Sequence, residues 1–383
     1  MFVWLLSSFA FNDAGGAFRP ANNSFFNKLD TPHDFHLIGK ADLPEGIKFN
    51  GDLLVSNYAS YRSSLTVPGI LFGGPSTANT NGFPEQVTLY EANIQVPIGG
   101  FGSNTQITIG RFKNQVTPLT YFRPDTDPYF DLPWYDDGNY VQDGFLFNTR
   151  CHGIRTQLWA GSYKGLTTNV DGDFINRPFV GLETGPRTLS FGKPTDYPIP
   201  FTQGAGIANQ SAGLHIDAPL FKYGELGLTL IDFTTSSGGV GGFPFANNFS
   251  NVLIYGADVK LKPFGRFQID AEASKSVTAT DFDHGDGQSN EDNNAFNLNL
   301  GYKSGPFDVQ TGYQYIDPRF GAPGYWDKIG NWYNPTNVQG PFARIHYQCT
   351  PRLGIRIGGD YRTGARNRSI QFAPGVGGWA EHP

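Results

Sequence analysis

The residues with the clearest chemical potential form a run of carboxylates, interleaved with Pro and aromatic residues, within 113–140. These acids are Asp125, Asp127, Asp131, Asp136 and Asp137. Fixed carboxylates at this density attract cations and repel anions. An electric field forms where they face guanidinium groups across water. Candidate guanidinium partners fall on or next to the polar side of the strands predicted below, and they are Arg111, Arg155, Arg344, Arg356 and Arg362.

Other motifs give little support for catalysis, cofactors or nucleic acid. The chain has no Gly-x-Ser-x-Gly elbow and no His-Glu-x-x-His pair, so we expect no enzyme activity and no cofactor. The formal charge of −6 gives no support for a nucleic-acid partner, which would call for a clustered basic face. A weak calcium candidate comprises Asp281, Asp283, Asp286 and Glu291. Its spacing fails the EF-hand pattern, so a plain hydrophilic loop is the favoured alternative.

The composition favours β structure with many turns. Among 383 residues there are 49 Gly, 33 Phe and 18 Tyr, and only 16% are charged. Aromatic residues suit strands, and Gly suits turns. No run approaches the roughly 18 apolar residues that a membrane helix needs, so a helical membrane protein is excluded.

Alternation of apolar and polar residues predicts seven β-hairpins. In 258–274, for example, Val259 and Ile269 belong to an apolar set, whereas Asp258, Lys260, Asp270 and Glu272 belong to a polar set. The hairpins span 34–57, 87–112, 141–163, 211–233, 258–274, 294–316 and 342–362, each around a tight turn containing Gly or Pro. Long polar segments rich in Asn, Gly, Asp and Pro separate them. The strands have roughly the 9–11 residues that cross a bilayer when tilted.

These features predict an all-β, antiparallel, up-and-down transmembrane barrel that occupies residues 1–383 as a single domain. A barrel of about fourteen strands or more is too wide for side chains to fill, so a polar interior and an apolar exterior are expected. Residues 1–11 and 368–375 are the predicted first and last of about sixteen strands. The alternative for the apolar start is a signal h-region. On the polar face, Asp258, Lys260, Asp270 and Glu272 should line the pore together with the five arginines.

The overall plan resembles general bacterial porins, and 107–145 resembles the barrel of porins that carry an S-layer-homology domain. That stretch has a Gly-Arg strand end, a Pro-containing segment, an Asp/Tyr-rich stretch and an Asp-Gly return. The resemblance implies an outer-membrane homotrimer whose third loop, 113–140, folds into the pore as a constriction. It also implies passive diffusion of small hydrophilic solutes and ions through a barrel surrounded by outer-membrane lipid. A solvated surface loop is the alternative for 113–140, and a structural or adhesive barrel is the alternative function.

Overall fold

The structure is a computed structural model, and it describes a defined part of the chain. The described residues are 2–7, 10–11, 29–30, 33–56, 86–99, 103–123, 137–163, 179–180, 206–236, 251–262, 265–279, 293–317, 320–329, 332–366, 369–371 and 379–381. Within these residues, no helix has the length and apolar character needed to span a membrane.

Fifteen strands in the described part of the chain follow one another in up-and-down order. They are β1 (Phe2–Ser7), β2 (His33–Asp42), β3 (Lys48–Ser56), β4 (Gln86–Pro97), β5 (Ser103–Asn114), β6 (Tyr140–Cys151), β7 (Ile154–Ser162), β8 (Gly206–Leu220), β9 (Gly224–Ser236), β10 (Asn251–Leu261), β11 (Phe267–Ala279), β12 (Asn294–Ser304), β13 (Phe307–Ile316), β14 (Val338–Thr350) and β15 (Leu353–Asp360). Each is antiparallel to the next, as in the register Val259↔Ala271 between β10 and β11. The seven predicted hairpins are all present, and the predicted fold class is confirmed.

The two predicted terminal strands have different outcomes. Residues 1–11 supply β1, which pairs with β2 in the register Phe2↔Ile38. The predicted last strand, 368–375, is wrong as a barrel strand within the described residues. Ser369–Gln371 pairs with Trp379–Glu381 in a separate two-stranded sheet. Alternation in 368–375 is limited to Ile370 and Phe372, so the local sequence gives little support for pairing with β15. The described sheet is therefore not closed between β15 and β1.

Burial along the strands establishes which face is apolar and exposed. On β9, Leu226, Leu228 and Leu230 are 37%, 52% and 47% exposed, whereas the alternating Thr229 and Ile231 are buried. On β10 and β11, the polar-face residues Asp258 and Glu272 are also buried. The exposed face therefore carries large apolar side chains, and the covered face carries carboxylates. A soluble β-sandwich has the reverse distribution.

An apolar cluster lies on the inner face near the long-loop ends of the strands. Its members include Phe112, Leu119, Tyr121, Tyr140, Trp159, Phe233, Ile254, Ile316, Phe320 and Trp326, all of which are buried. The sequence interpretation expected a polar inner face throughout. The difference arises because loop segments pack against this end of the wall and exclude water from it.

Candidate functional site

Residues 115–123, which follow β5, fold against the inner face of the sheet. The Leu119 amide donates to Glu272 Oε1 on β11 at 3.0 Å. The Tyr121 ring stacks on Trp159 of β7 at 6.0 Å between centroids and lies 5.9 Å from Phe233 of β9. One segment thus touches the same face of β7, β9 and β11, and this is the face that we call inner. We call residues 115–123 the first inner segment.

The local conformation of the first inner segment follows from its sequence. Pro118 occupies the second position of a turn that begins at Thr117, where the fixed φ of proline is favourable. The amides of Thr120 and Tyr121 donate to the Thr117 carbonyl at 3.1 and 3.0 Å, and the Val116 amide donates to the Tyr121 carbonyl at 2.8 Å. The segment is thus a closed turn that carries its own backbone hydrogen bonds.

Hydroxyl groups fix the aromatic end of this turn. The Tyr163 hydroxyl donates to the Tyr121 oxygen at 2.8 Å, and Gln142 Nε2 donates to the same oxygen at 3.2 Å. Burial raises the pKa of Tyr121 well above its ordinary value, and burial also raises the pKa of Tyr163. Both phenols therefore remain neutral hydrogen-bonding groups at physiological pH.

A second inner segment, residues 320–327, comes from the connection between β13 and β14. The Phe122 amide donates to the Pro323 carbonyl at 3.0 Å, and the Tyr325 amide donates to the Pro118 carbonyl at 2.7 Å. A Cβ added at Gly324 would lie 2.1 Å from the Pro118 oxygen, so only glycine fits this approach. The two inner segments are consequently joined by main-chain bonds.

The wall also holds the second inner segment directly. The Gly321 amide donates to Ser276 Oγ on β11 at 3.0 Å, and Gln314 Nε2 on β13 donates to the Trp326 carbonyl at 3.1 Å. Sequence reasoning missed this segment. The available signal was an unusual group of Gly, Pro and aromatic residues, "FGAPGYW", inside an otherwise polar connection.

A fully buried carboxylate organises the start of the connection between β13 and β14. Asp317 accepts hydrogen bonds from the Tyr315 hydroxyl at 2.5 Å, the Asn294 amide at 3.0 Å and Arg366 Nε at 3.1 Å. Burial alone would raise the pKa of Asp317, but these hydrogen bonds outweigh it, and the pKa lies below its ordinary value. The carboxylate is therefore ionised and holds three parts of the chain together.

Two of the predicted wall arginines pair with carboxylates on the inner face. Arg155 Nη2 on β7 lies 2.5 Å from Glu225 Oε2 and 3.4 Å from Asp217 Oδ2. Arg362 Nη1 pairs with Asp327 of the second inner segment, and its distance to Gln314 Oε1 is 3.2 Å.

The other three predicted arginines have different surroundings. Arg344 on β14 lies over the Phe342 ring at 5.5 Å, and both Arg344 and Arg356 are exposed. Arg111 pairs with Asp143 through two hydrogen bonds of 2.8 and 2.9 Å. By strand alternation, Arg111 lies on the same face of β5 as Ile109, which is 54% exposed. The buried Phe112 lies on the other face.

The four predicted pore-lining residues of β10 and β11 lie on one face, with different contacts. Lys260 Nζ is 3.7 Å from Asp258 Oδ1, and the Lys260 side chain is largely exposed. Asp270 Oδ2 accepts a hydrogen bond from Gln268 at 2.5 Å. Glu272, in contrast, is covered by the first inner segment through the Leu119 amide, and Thr117 is a second hydrogen-bond partner.

Of the five predicted constriction acids, Asp137 is the one that the structure describes. Its carboxylate lies 3.1 Å from Lys113 Nζ and 3.4 Å from Nη2 of the buried Arg123, a pairing that sequence reasoning missed. The remaining acids, Asp125, Asp127, Asp131 and Asp136, lie outside the described residues. The same holds for the calcium candidates Asp281, Asp283, Asp286 and Glu291. In the part that is described, no cluster of three His, Cys, Asp or Glu residues could hold a metal ion.

The solved structures similar to this chain include bacterial outer-membrane porins. The chain matches Pseudomonas aeruginosa OccK11 (OpdR) at 10% identity with a TM-score of 0.50, covering 97% of this chain and 83% of that chain. For Pseudomonas aeruginosa OpdQ the values are 13% identity, a TM-score of 0.48, and coverage of 97% and 79%. A triple mutant of the Rhodopseudomonas blastica porin matches at 11% identity and a TM-score of 0.38, covering 100% of both chains. No protein-family profile and no curated protein matches.

The likeness to OccK11 establishes a porin-like, up-and-down β-barrel fold for this chain. The fold expected from the resemblance to porins is confirmed.

Proposed function

We propose that the chain forms a water-filled channel in the bacterial outer membrane for passive diffusion of small hydrophilic solutes and ions. The observation that carries the proposal is the distribution of side chains on the sheet. Exposed apolar residues lie on the outer face, and charged residues lie on the inner face. Exposed Leu228 and Ile109 suit lipid, whereas Arg155, Asp217 and Glu225 suit water. The porin-like fold supports the same assignment and favours a channel over an enzyme.

We further propose that 113–140 is the constriction loop of a single barrel domain comprising residues 1–383. The contacts of 115–123 with the inner wall support this, as does the pairing of Asp137 with Lys113 and Arg123. Asp125, Asp127, Asp131 and Asp136 then act as fixed charges at the narrowest point. If neutralising Asp125, Asp127 and Asp131 together leaves the ion selectivity of single channels unchanged, these acids do not form the constriction.

The inner wall also supports a proposal for charge selectivity. Asp217, Glu225, Asp258 and Asp270 make β8–β11 predominantly acidic, whereas Arg344 and Arg356 make β14–β15 basic. Opposite charges on separate parts of the wall give a field across the lumen. Replacing both arginines with Gln should shift the reversal potential in a KCl gradient toward cation preference.

The finer features implied by the resemblance are proposals as well. A homotrimer is expected because the plan resembles general porins, and mass measurement of the detergent-solubilised protein tests it. An association with the S-layer rests on the resemblance of 107–145. Pull-down of the purified barrel with isolated cell-wall material tests that association.

Reconstitution of the purified chain into planar bilayers tests the channel function. Stepwise conductance is the expected result. A correctly folded barrel that never conducts would overturn the channel and favour the structural or adhesive alternative.

A further inference from the structure

The tight turns from β6 to β15 form a basic rim at one end of the barrel. The spans 149–156, 218–224, 261–269, 302–307 and 347–355 contain no Asp or Glu, and the acids that border them, Asp217, Glu225, Asp270 and Asp308, lie on the adjoining strands. Their cations are Arg150, Arg155, Lys222, Lys262, Arg266, Lys303 and Arg352. The chain as a whole has a formal charge of −6, so this clustering runs against its overall balance.

Four of these seven cations make no ion pair with another described residue. Lys303 Nζ lies 3.9 Å from Asp308 Oδ2, and Arg155 pairs with Glu225. Lys222, Lys262, Arg266 and Arg352 are exposed and have no carboxylate within ion-pair distance in the described part of the chain. Their charge therefore remains available to an external anion.

Main-chain bonds between successive turns fix the rim. The Lys262 amide donates to the Tyr223 carbonyl at 2.7 Å, and the Lys303 amide donates to the Arg266 carbonyl at 2.9 Å. Neighbouring strands lie about 4.8 Å apart, so successive turns are about 10 Å apart. This spacing is similar to the Debye length of about 8–10 Å at physiological ionic strength, so the potentials of adjacent turns add.

Exposed aromatic side chains accompany the cations in the same turns. Phe221, Phe267 and Phe307 are 86%, 48% and 49% exposed, and Tyr223 is 43% exposed. Lys222 Nζ lies 5.0 Å from the Tyr223 ring centroid. Aromatic rings beside Lys and Arg are typical of side chains at the boundary between lipid and water.

We propose that the basic rim binds the anionic headgroups of phospholipids in the leaflet that the turns face. Charge complementarity identifies the occupant, since unpaired cations lie next to apolar rings that can enter the headgroup region. The first turn differs, because Asp42 and Glu45 balance Lys40 and Lys48 there. The proposal depends on the membrane location given above, but not on conduction.

Lipid retention by the full chain tests this inference. The protein is inserted into vesicles of phosphatidylcholine and phosphatidylglycerol in equal amounts, extracted in mild detergent, and its co-purifying lipids are quantified by mass spectrometry. The rim variant carries both Lys222→Gln and Lys262→Gln and so loses two rim charges. The matched control carries both Lys40→Gln and Lys48→Gln and loses two charges beside the first turn. We expect the native chain and the control to enrich phosphatidylglycerol, and the rim variant to lose about fivefold or more of that enrichment.

The outcomes separate the possibilities. Equal enrichment in the rim variant and the control would overturn the proposal, as would an absence of lipid preference in the native chain. Binding of a soluble anionic polysaccharide without lipid preference would assign the rim to a polymer instead. A chain that enriches phosphatidylglycerol but does not conduct would refute the channel and leave the rim proposal standing.

Discussion

Replacing Glu272 with Ala should loosen the first inner segment while leaving the barrel assembled. Glu272 accepts the amide hydrogen of the fully buried Leu119 at 3.0 Å, and Thr117 is its second partner. Loss of the acceptor leaves a buried donor unsatisfied, which costs about 1–3 kcal/mol. That cost shifts the equilibrium between docked and undocked segment by roughly 5- to 150-fold.

Single-channel recording at fixed voltage measures this shift as open-channel noise and occupancy of subconductance states. Glu272→Gln is the conservative variant, because its amide oxygen still accepts a hydrogen bond. Asp270→Asn is the matched control on the same strand face, since Asp270 contacts Gln268 and not the segment. Heat-modifiable gel migration reports assembly in each variant. If Glu272→Ala assembles and shows the noise and substates of the native chain, the anchoring role of Glu272 is refuted.

Three further predictions concern the outer face, the buried carboxylate and the contact between the inner segments. Leu228→Lys should prevent assembly, because a lysine facing lipid near the midplane costs about 2–4 kcal/mol, whereas Asn299→Lys on the inner face should assemble; gel migration distinguishes them. Asp317→Asn should lower the melting temperature at pH 7. The lowered pKa of Asp317 means that its contribution is present above the ordinary carboxyl pKa and is lost as the pH falls through the lowered value, so the two melting curves should converge in acid. Gly324→Ala should change unitary conductance without preventing assembly, because the added methyl group forces the second inner segment away from Pro118, and a native conductance would count against a joint between the segments.

The strands could be predicted because alternation is a local property of a bilayer-spanning hairpin. In β10 and β11 the registers Asp258↔Glu272 and Val259↔Ala271 follow directly from matching the polar and apolar sets across the turn. The additional strand predicted at 368–375 had no such support. Its alternation is limited to Ile370 and Phe372, and it has no matching set across a tight turn.

The interior contacts could not be predicted because they join distant parts of the chain. Leu119 and Glu272 are 153 residues apart, and no sequence period links them. One signal was nevertheless available. Near the long-loop end of β9, the exposed Leu230 lies on one face and the buried Ile231 and Phe233 lie on the other. Both faces are therefore apolar there, and the alternation fails where the inner face packs against other residues. Such a loss of alternation indicates that an inner face is covered.

The channel function is tested most directly by the conductance of the purified, heat-modifiable barrel in a planar bilayer that separates two salt solutions. A polar inner wall that faces water predicts stepwise, ohmic current increments for each inserted barrel. Repeated insertion of folded protein without any current increment would contradict the channel, since it would mean that the inner segments close the lumen.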